Sequence, residues 1–421
     1  SFDTRKGKSI YAIKLVAFCF GSKGMIRNIR PIILVVYLML VTYGIGFIGW
    51  NSFAPRSYTY YALSIGVPFF VCNIVSKKIR RSDFSLLLTY LALMPMISCF
   101  SKQILLGESA FSVSSPILLA FAFMFYFVLK YLKVEEKDIV KAVVSVGVTT
   151  AVIQVFQQLF PNYVFFDAFR SDYYHLSLIE IRNNFSRYLV GSIAIQLFCL
   201  YYFWSLLSSR FSVVKLIFTC LLLVSVYLYL TRQVLVAAAL TICVSSFFSQ
   251  EKKTKRFSFV MTICFVMGVI YNWEDFFGGF VSMTQHDSYS TDIRGQSMLF
   301  FLNRIVSNPI GLLLGFGESH YEEQWYRLGF YASDIGFIGD MYHFGITWIV
   351  VYFVSVYKIV IKYKNVVPLY IRLYLIGTLI SSPFSFPYHS LDKAFVWLFV
   401  LYISNRYISS YKKKYMLERN V

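Results

Sequence analysis

Apolar stretches of about 20 residues recur along the whole chain, and they constrain its fold more than any other feature. Hydrophobic residues make up 57% of the sequence and charged residues only 14%, whereas an ordinary soluble protein has roughly 25% charged residues. A helix of about 20 apolar residues is long enough to cross the roughly 30 Å hydrocarbon core of a bilayer. The sequence therefore predicts an all-α polytopic membrane protein.

Twelve of these stretches are predicted to be transmembrane helices. Because the number is even, both chain termini are expected on the same side of the membrane. The predicted spans are residues 31–50, 57–76, 84–101, 112–132, 138–160, 185–207, 212–231, 233–250, 256–272, 335–361, 369–386 and 388–408.

Two of the segments that connect these spans are long, and both are predicted on the outer side. The first covers residues 161–184, and the second, at residues 273–334, is the largest non-spanning region of the chain. Loops of this size between packed helices are usually functional. The chain is thus divided into residues 1–272 with the first nine spans, residues 273–334 as a large outer loop with short helices, and residues 335–421 with the last three spans.

The basic residues follow the predicted spans in a regular way. A formal net charge of +19 would suit a nucleic-acid-binding protein, but Lys and Arg gather after every second span. The basic clusters lie at residues 77–81, 130–137, 252–256, 358–364 and 412–414. This is the positive-inside pattern of membrane proteins. We therefore expect both termini in the cytoplasm and no nucleic-acid partner.

The apolar run from Leu216 to Phe248 is too long for one span, and only Arg232 and Gln233 interrupt it with strong polarity. Two helices are predicted to meet there, in a hairpin at the outer membrane face. An arginine at an interface can simply extend its head toward water. However, the run holds no acid to pair with Arg232, and guanidinium geometry suits a phosphate group. Arg232 is therefore a candidate phosphate ligand.

A helix is predicted inside the large outer loop, from Asp292 to Ser307, because Asp292 and the two residues before it offer N-caps and a proline follows its end. Arg294 and Arg304 both fit a common polar cleft, although solvated arginines on a surface helix are the alternative. Arg294 falls in the first turn of the predicted helix, where the helix dipole disfavours a cation. An anionic ligand at that end would explain it.

Glycines and acidic residues follow this helix. Gly315 and Gly317 predict a tight turn that needs a permissive backbone. Glu318 and His320 come next, in a polar cluster above the membrane. Asp334, together with the serine before it, is interpreted as the N-cap of the tenth span.

Two further ionisable residues, Asp340 and His343, fall at membrane depth in the tenth span. Such residues are functional candidates, although a hydrogen bond between them would serve structure alone. The five histidines show no paired spacing, and the seven cysteines form no closely spaced pair. We predict no metal site and no cofactor.

Three segments give the chain a resemblance to a known family. They are LTRQVLVAAAL at residues 230–240, DIRGQSMLFFLNRIVSNPIGLLLGFG at 292–317, and ASDIGFIGDMYHFGI at 332–346. In this order, with a large loop late in the chain, they resemble the Wzy-type O-antigen and polysaccharide repeat-unit polymerases, and more distantly the O-antigen ligases. The ligases commonly carry a His-Asn pair where this chain has Ser333 and Asp334, which favours a polymerase.

The resemblance implies a glycosyltransferase of GT-C-like architecture in the bacterial inner membrane, acting without a metal. Its donor and acceptor would be oligosaccharides linked to undecaprenyl diphosphate, joined in the biosynthesis of lipopolysaccharide or another polysaccharide. The lipid bilayer and a chain-length regulator protein would be its further partners. Two alternatives remain open: an O-antigen ligase with the same chemistry, and a polysaccharide flippase. A flippase is expected to have short loops and charges at mid-depth of the membrane.

The reaction that the resemblance implies assigns roles to the candidate residues. A diphosphate leaving group gains charge as the glycosidic bond breaks, and preorganised arginines stabilise such charge. Arg232 and Arg294 are therefore predicted to bind the diphosphate, supported by Arg187 or Arg304. The acceptor hydroxyl needs a general base, and the candidates are, in order of preference, Asp334, His320 and Glu318. For Asp334, a simple helix cap is the alternative.

Overall fold

The computed structural model of the chain is built mainly from helices. It describes residues 32–35, 37, 61–75, 84–113, 115–160, 179–182, 185–188, 192–229, 232–248, 252–271, 279–319, 324–325, 327–386 and 390–419. The first predicted span falls almost wholly outside these residues.

The first part of the chain forms a series of helices with one short hairpin of strands. Each helix is a run of apolar residues with few charges, so each can be buried in a bundle or in lipid. The elements are α1 (Gly66–Val75), α2 (Ser85–Leu106), α3 (Ser115–Leu132), α4 (Glu136–Leu159), β1 (Ile179–Arg182), β2 (Phe185–Tyr188), α5 (Ile193–Ser209), α6 (Val213–Leu228), α7 (Arg232–Phe248) and α8 (Lys252–Tyr271). The strands β1 and β2 pair antiparallel, with Ile179 opposite Tyr188.

The second part contains a long polar helix and then several shorter elements. They are α9 (Gly279–Ser307), α10 (Pro309–Leu314), a 3₁₀ turn (Ala332–Asp334), α11 (Gly336–Phe344), α12 (Ile346–Val356), a π-helical turn (Tyr357–Lys362), α13 (Leu369–Ser381) and α14 (Leu391–Arg419).

Three helices of the described residues, α2, α3 and α4, are both long and apolar enough to cross a membrane. Five shorter apolar helices, of 10 to 17 residues, include α5, α6 and most of α7. These lengths and compositions define a helical membrane protein.

Helices α2 and α3 run antiparallel, because the end of α3 lies beside the start of α2. The two ends of the bundle therefore gather different sets of helix termini. At one end, Lys130 of α3 donates to Ser85 at the start of α2 (2.9 Å), and Tyr370 of α13 donates to Glu136 at the start of α4 (2.6 Å). At the other end, α2 finishes near Lys102 and α3 begins at Ser115. We call these the Glu136 end and the Lys102 end.

Aromatic side chains fill the middle of the bundle. Tyr352 of α12 lies against Trp397 of α14, with ring centroids 5.0 Å apart, and Phe123 of α3 meets Trp348 edge-on at 5.8 Å. Tyr352 also donates to Thr378 of α13 at 3.3 Å. Because such rings bury large apolar areas with defined geometry, they fix α3, α12, α13 and α14 against one another.

A second, smaller core holds α9, α10 and α11 together. This core contains Phe301 of α9, Phe316 just after α10, and Tyr342 of α11, all fully or almost fully buried. The Phe316 and Tyr342 rings stack with their centroids 4.9 Å apart. Leu105 and Leu106 at the end of α2 pack against this core. The late segment is therefore attached to the Lys102 end of the bundle.

The prediction that two helices meet at Arg232 is confirmed, and their predicted position at the outer membrane face stays a prediction. Helix α6 ends at Leu228 and α7 begins at Arg232, so two helices meet where the polar residues interrupt the apolar run. The predicted span 185–207 starts too early, because residues 185–188 form strand β2 and the helix begins only at Ile193.

The helix predicted from Asp292 to Ser307 ends where expected but begins at Gly279. The N-cap prediction at residues 290–292 is wrong because the polar residues before Asp292 continue the helix instead of starting it. Arg294 consequently lies in the middle of α9, and the argument that its cation opposes a helix dipole does not hold.

The tenth predicted span, residues 335–361, is not one helix. It is broken at Gly345 between α11 and α12, and a π-helical turn follows α12. The prediction that Asp334 caps this span is also wrong: Asp334 belongs to a separate 3₁₀ turn, and α11 begins two residues later with no side-chain capping bond.

Gly345 makes the break possible, and its replacement is a sharp test of this geometry. Its φ is +82°, and a Cβ there would lie 2.2 Å from the Leu313 carbonyl oxygen. Gly345→Ala should therefore destabilise the protein by more than the roughly 1–3 kcal/mol of backbone strain alone, measured by unfolding in mixed micelles. Gly295→Ala is the matched control, since nothing lies within 4 Å of a Cβ at that helical position. Equal stability of the two variants would contradict the close approach of α10 to Gly345.

Candidate functional site

A lysine is buried in the last two turns of α2. Lys102 is 1% exposed, and its Nζ donates to Ser112 Oγ at 2.6 Å. The Glu108 carboxylate lies 4.0 Å from the same nitrogen. A buried cation is costly unless charge and hydrogen bonds compensate it, and Glu108 and Ser112 supply both.

Glu108 connects this lysine to the segment that follows α10. Ser112 Oγ donates to Glu108 Oε1 at 2.7 Å, and Ser319 Oγ donates to Oε2 of the same carboxylate. We call Lys102, Glu108, Ser112 and Ser319 the Lys102 cluster. It joins two parts of the chain that are more than 200 residues apart.

Glu318 lies directly beside this cluster. Its carboxylate is half-buried and accepts a hydrogen bond of 3.1 Å from Ser115 Oγ at the start of α3. The next residue, Ser319, is bonded to Glu108. The Glu318 backbone is thus held on one side by the Lys102 cluster, and its side chain is directed by α3.

Two glycines bring the Glu318 segment against α2. Gly315 has a φ of +79°, and its carbonyl oxygen accepts from Ser101 Oγ at 2.6 Å. Gly317 has a φ of +68°, and a Cβ there would lie 2.7 Å from the Ser98 carbonyl oxygen. The tight turn predicted from these glycines is confirmed, and it lies close to the backbone of α2.

The two arginines of α9 lie in different surroundings. The Arg304 guanidinium lies over the rings of Trp325 (4.3 Å to the centroid) and Phe300 (4.9 Å). Arg294 is half-buried, ten positions earlier on the same helix. Arg304 is therefore held by cation–π contacts, and its predicted contact with a diphosphate stays a prediction, as does that of Arg294.

Asp334 is exposed, and the serine before it donates to its Oδ1 at 3.4 Å. It neither caps α11 nor lies in a buried pocket. Among the predicted bases that the structure describes with side chains, Glu318 is therefore the more firmly held.

The remaining predicted site residues are described in part or not at all. Arg232 starts α7 and Arg187 lies in β2, opposite Glu180, but neither side chain is among the described atoms. His320 lies outside the described residues. Their predicted roles stay predictions.

Asp340 and His343 of α11 are buried at 1% and 3% exposure. The Trp348 Nε1 donates to Asp340 Oδ2 at 3.1 Å. Because Trp348 belongs to α12, Asp340 serves to hold α11 and α12 together across the break at Gly345.

A second polar group lies at the Lys102 end, where α5 and α14 begin. Asp392 accepts from Ser192 Oγ at 2.8 Å and from Ser390 Oγ at 2.6 Å. Its charge acts on Tyr229, which precedes Arg232 by three positions. An acid from a distant part of the chain thus acts at the end of α6.

Sequence reasoning missed Lys102, Glu108 and Asp392. Lys102 falls just after the predicted span 84–101. A lysine at the edge of an apolar helix is the only sign of this site in the sequence. No spacing rule predicts its pairing with Ser319 through Glu108, because that pairing depends on the tertiary fold.

No metal-binding arrangement is found in the described part of the chain: no three His, Cys, Asp or Glu side chains there are grouped to hold an ion. Comparisons with protein-family models, with curated proteins and with solved structures find no match to this chain. The fold and the site therefore define a class only, that of helical membrane proteins with a buried, hydrogen-bonded polar cluster at one end.

Proposed function

We propose that this protein is a glycosyltransferase that polymerises undecaprenyl-diphosphate-linked oligosaccharide repeat units at the periplasmic face of the bacterial inner membrane. The observation that supports this most is Glu318: a half-buried carboxylate held between α3 and the Lys102 cluster. It lies at the end of the bundle to which α9, the helix of Arg294 and Arg304, is attached. Transfer from a lipid diphosphate requires a base and cations at the same edge of the membrane.

The proposed topology has twelve spans, with the Lys102 end in the periplasm and both termini in the cytoplasm. The distribution of basic residues supports this orientation. Near the Glu136 end lie Lys130, Lys133, Lys137, Arg210 and Lys215, together with the basic residues that start α8 and end α14. Lysine and arginine at the Lys102 end are fewer among the described residues.

An apolar surface beside the site suits the polyprenyl tail of the substrate. Leu299 and Val306 of α9 are 63% and 68% exposed, and Ile310 and Leu313 of α10 are also exposed. A patch of several exposed apolar side chains indicates contact with lipid or with another apolar partner. A tail that approaches through the bilayer would meet this surface before its diphosphate reaches the polar cluster.

In the proposed reaction, an acceptor hydroxyl attacks the anomeric carbon of the donor sugar. The new C–O bond forms as the bond between that carbon and the diphosphate oxygen breaks, with inversion in one step. Glu318 accepts the hydroxyl proton, and undecaprenyl diphosphate leaves with the electron pair. Arg232 and Arg294, supported by Arg187 or Arg304, stabilise the charge that grows on the diphosphate. Asp334 and His320 are the alternative bases.

Replacement of Arg232 or Arg294 by alanine should suppress chain growth while the protein still inserts into the membrane. Each loses a charge-assisted contact worth about 1.5–3 kcal/mol, which corresponds to a rate lower by about tenfold to hundredfold. The measurement is the length distribution of polymer made by each variant in vivo. Arg327→Ala, an exposed arginine in the same late segment, is the control. Polymer of normal length from both primary variants would refute the assignment.

The deciding experiment uses purified protein with lipid-linked repeat units as both donor and acceptor. A ladder of products that differ by one unit supports polymerase activity. Transfer to lipid A core without a ladder would instead identify a ligase, and movement of the substrate across vesicles without bond formation would identify a flippase.

A further inference from the structure

A cavity of about 360 Å³ lies at the Glu136 end, opposite the Lys102 cluster. It is bordered by the end of α5, the start of α8, the segment before α13 and the later part of α14. Its polar lining includes Ser205, Ser209, Thr254, Lys364, Arg372 and Tyr407. None of the side chains that line it is acidic.

Arg372 is the buried charge of this cavity. It is 4% exposed, and its Nη1 donates to the Phe248 carbonyl oxygen at 2.7 Å. Its Nε is buried and has no hydrogen-bond partner among the described residues, and no carboxylate of those residues forms an ion pair with it. A neutral carbonyl does not offset the cost of burying a guanidinium.

Two other features add positive potential to the same cavity. Lys364 reaches it from the turn after the π-helical segment, and its side chain is exposed. Leu369, at the first position of the 13-residue helix α13, also borders the cavity. The amides of a helix N-terminus point toward an anion there, and the helix dipole favours negative charge.

Glu136, an acid that bonds to Tyr407 of the cavity wall, is already engaged. Its two carboxylate oxygens accept from Tyr370 (2.6 Å) and from Tyr407 (2.6 Å). Tyr407 therefore separates Glu136 from the cavity, and the carboxylate does not replace an external anion for Arg372.

We infer that this cavity binds a phosphate-class anion, held by Arg372, Lys364 and the N-terminal amides of α13. Guanidinium donors and helix N-termini both match the geometry of phosphate oxygens. The anion is either a free phosphate group or the headgroup of an anionic phospholipid. The inference does not rest on the proposed polymerase activity, because the cavity lies at the other end of the bundle.

The first arm of the test measures the unfolding temperature of purified protein as inorganic phosphate is added at constant ionic strength. Phosphate should stabilise the wild-type protein, because a ligand that binds only the folded state raises its stability. Arg372→Gln and Lys364→Gln should each weaken the apparent affinity by about tenfold or more. Lys362→Gln is the control, since this exposed lysine does not line the cavity.

The second arm counts phosphatidylglycerol molecules that stay bound after extraction from vesicles of phosphatidylglycerol and phosphatidylcholine, by native mass spectrometry. A response to phosphate identifies a free anion. Retention of phosphatidylglycerol by wild type and Lys362→Gln, with loss in Arg372→Gln, identifies a lipid headgroup. If Arg372→Gln does not fold, Lys364→Gln decides. Binding of neither probe, or equal binding by the cavity variants and the control, would overturn the inference.

Discussion

Glu318→Gln is expected to lower polymer formation by about 10²–10⁴-fold, the usual contribution of a general base. Glutamine keeps the size of the side chain and can still accept the 3.1 Å hydrogen bond from Ser115, so the fold should persist. The amide cannot take the acceptor proton, and the loss should therefore appear in turnover. The measurement is the rate of ladder formation by purified protein at saturating lipid-linked substrate.

Two variants make this result specific. Asp334→Asn tests the competing base, an exposed carboxylate that bonds to its neighbouring serine. This variant should retain most activity. Glu135→Gln changes an exposed carboxylate at the Glu136 end, in a surface ion pair with Lys137, and should leave the rate unchanged. An inactive Asp334→Asn beside an active Glu318→Gln would assign the base to Asp334 instead.

Local sequence signals predicted those features that depend on local chemistry. The hairpin at Arg232 follows from two polar residues in an apolar run, and the end of α9 at Ser307 follows from the proline two positions later. The turn at Gly315 and Gly317 was predictable because closely spaced glycines favour backbone conformations that other residues rarely adopt. Both glycines do have a positive φ.

Features that depend on distant partners were not predictable in this way. The break at Gly345 falls inside a predicted span, and it is the approach of Leu313 from α10 that requires a glycine there. Asp334 was interpreted as a helix cap because its residue type suits one, but α11 begins two residues later. Residue type alone does not fix which of several adjacent positions starts a helix.

The candidate site was predictable only in outline. The acidic residues after α10 pointed to Glu318, but its position depends on Ser319 meeting Glu108, a pairing of residues 211 positions apart. Likewise, Asp392 acts on Tyr229, at the end of α6, only because α14 packs beside α5. Such contacts are set by helix packing, for which a single sequence carries no spacing rule.

Lys102→Met is expected to cause the largest loss of stability among the variants considered. Methionine keeps much of the volume and the apolar stem, but it leaves the Glu108 carboxylate, with a side chain only 11% exposed, without its cation. Removing one partner of a buried ion pair costs about 3–5 kcal/mol. The free energy of unfolding in mixed micelles should fall by that amount, and Lys137→Met, in an exposed pair, should change it by less than about 1 kcal/mol.

The double variant Lys102→Met/Glu108→Gln separates charge from packing. If the cost arises from an uncompensated carboxylate, neutralising Glu108 should recover most of the lost stability, since a neutral pair of similar volume often replaces a buried ion pair at little cost. The glutamine oxygen can still accept from Ser319, and its NH2 can donate to the Ser112 hydroxyl, which no longer accepts from residue 102. Glu318 should therefore stay in place, and polymer formation should recover together with stability. A double variant as unstable as Lys102→Met alone would show that the lysine acts through packing, and that the ion pair does not hold the Glu318 segment against α2.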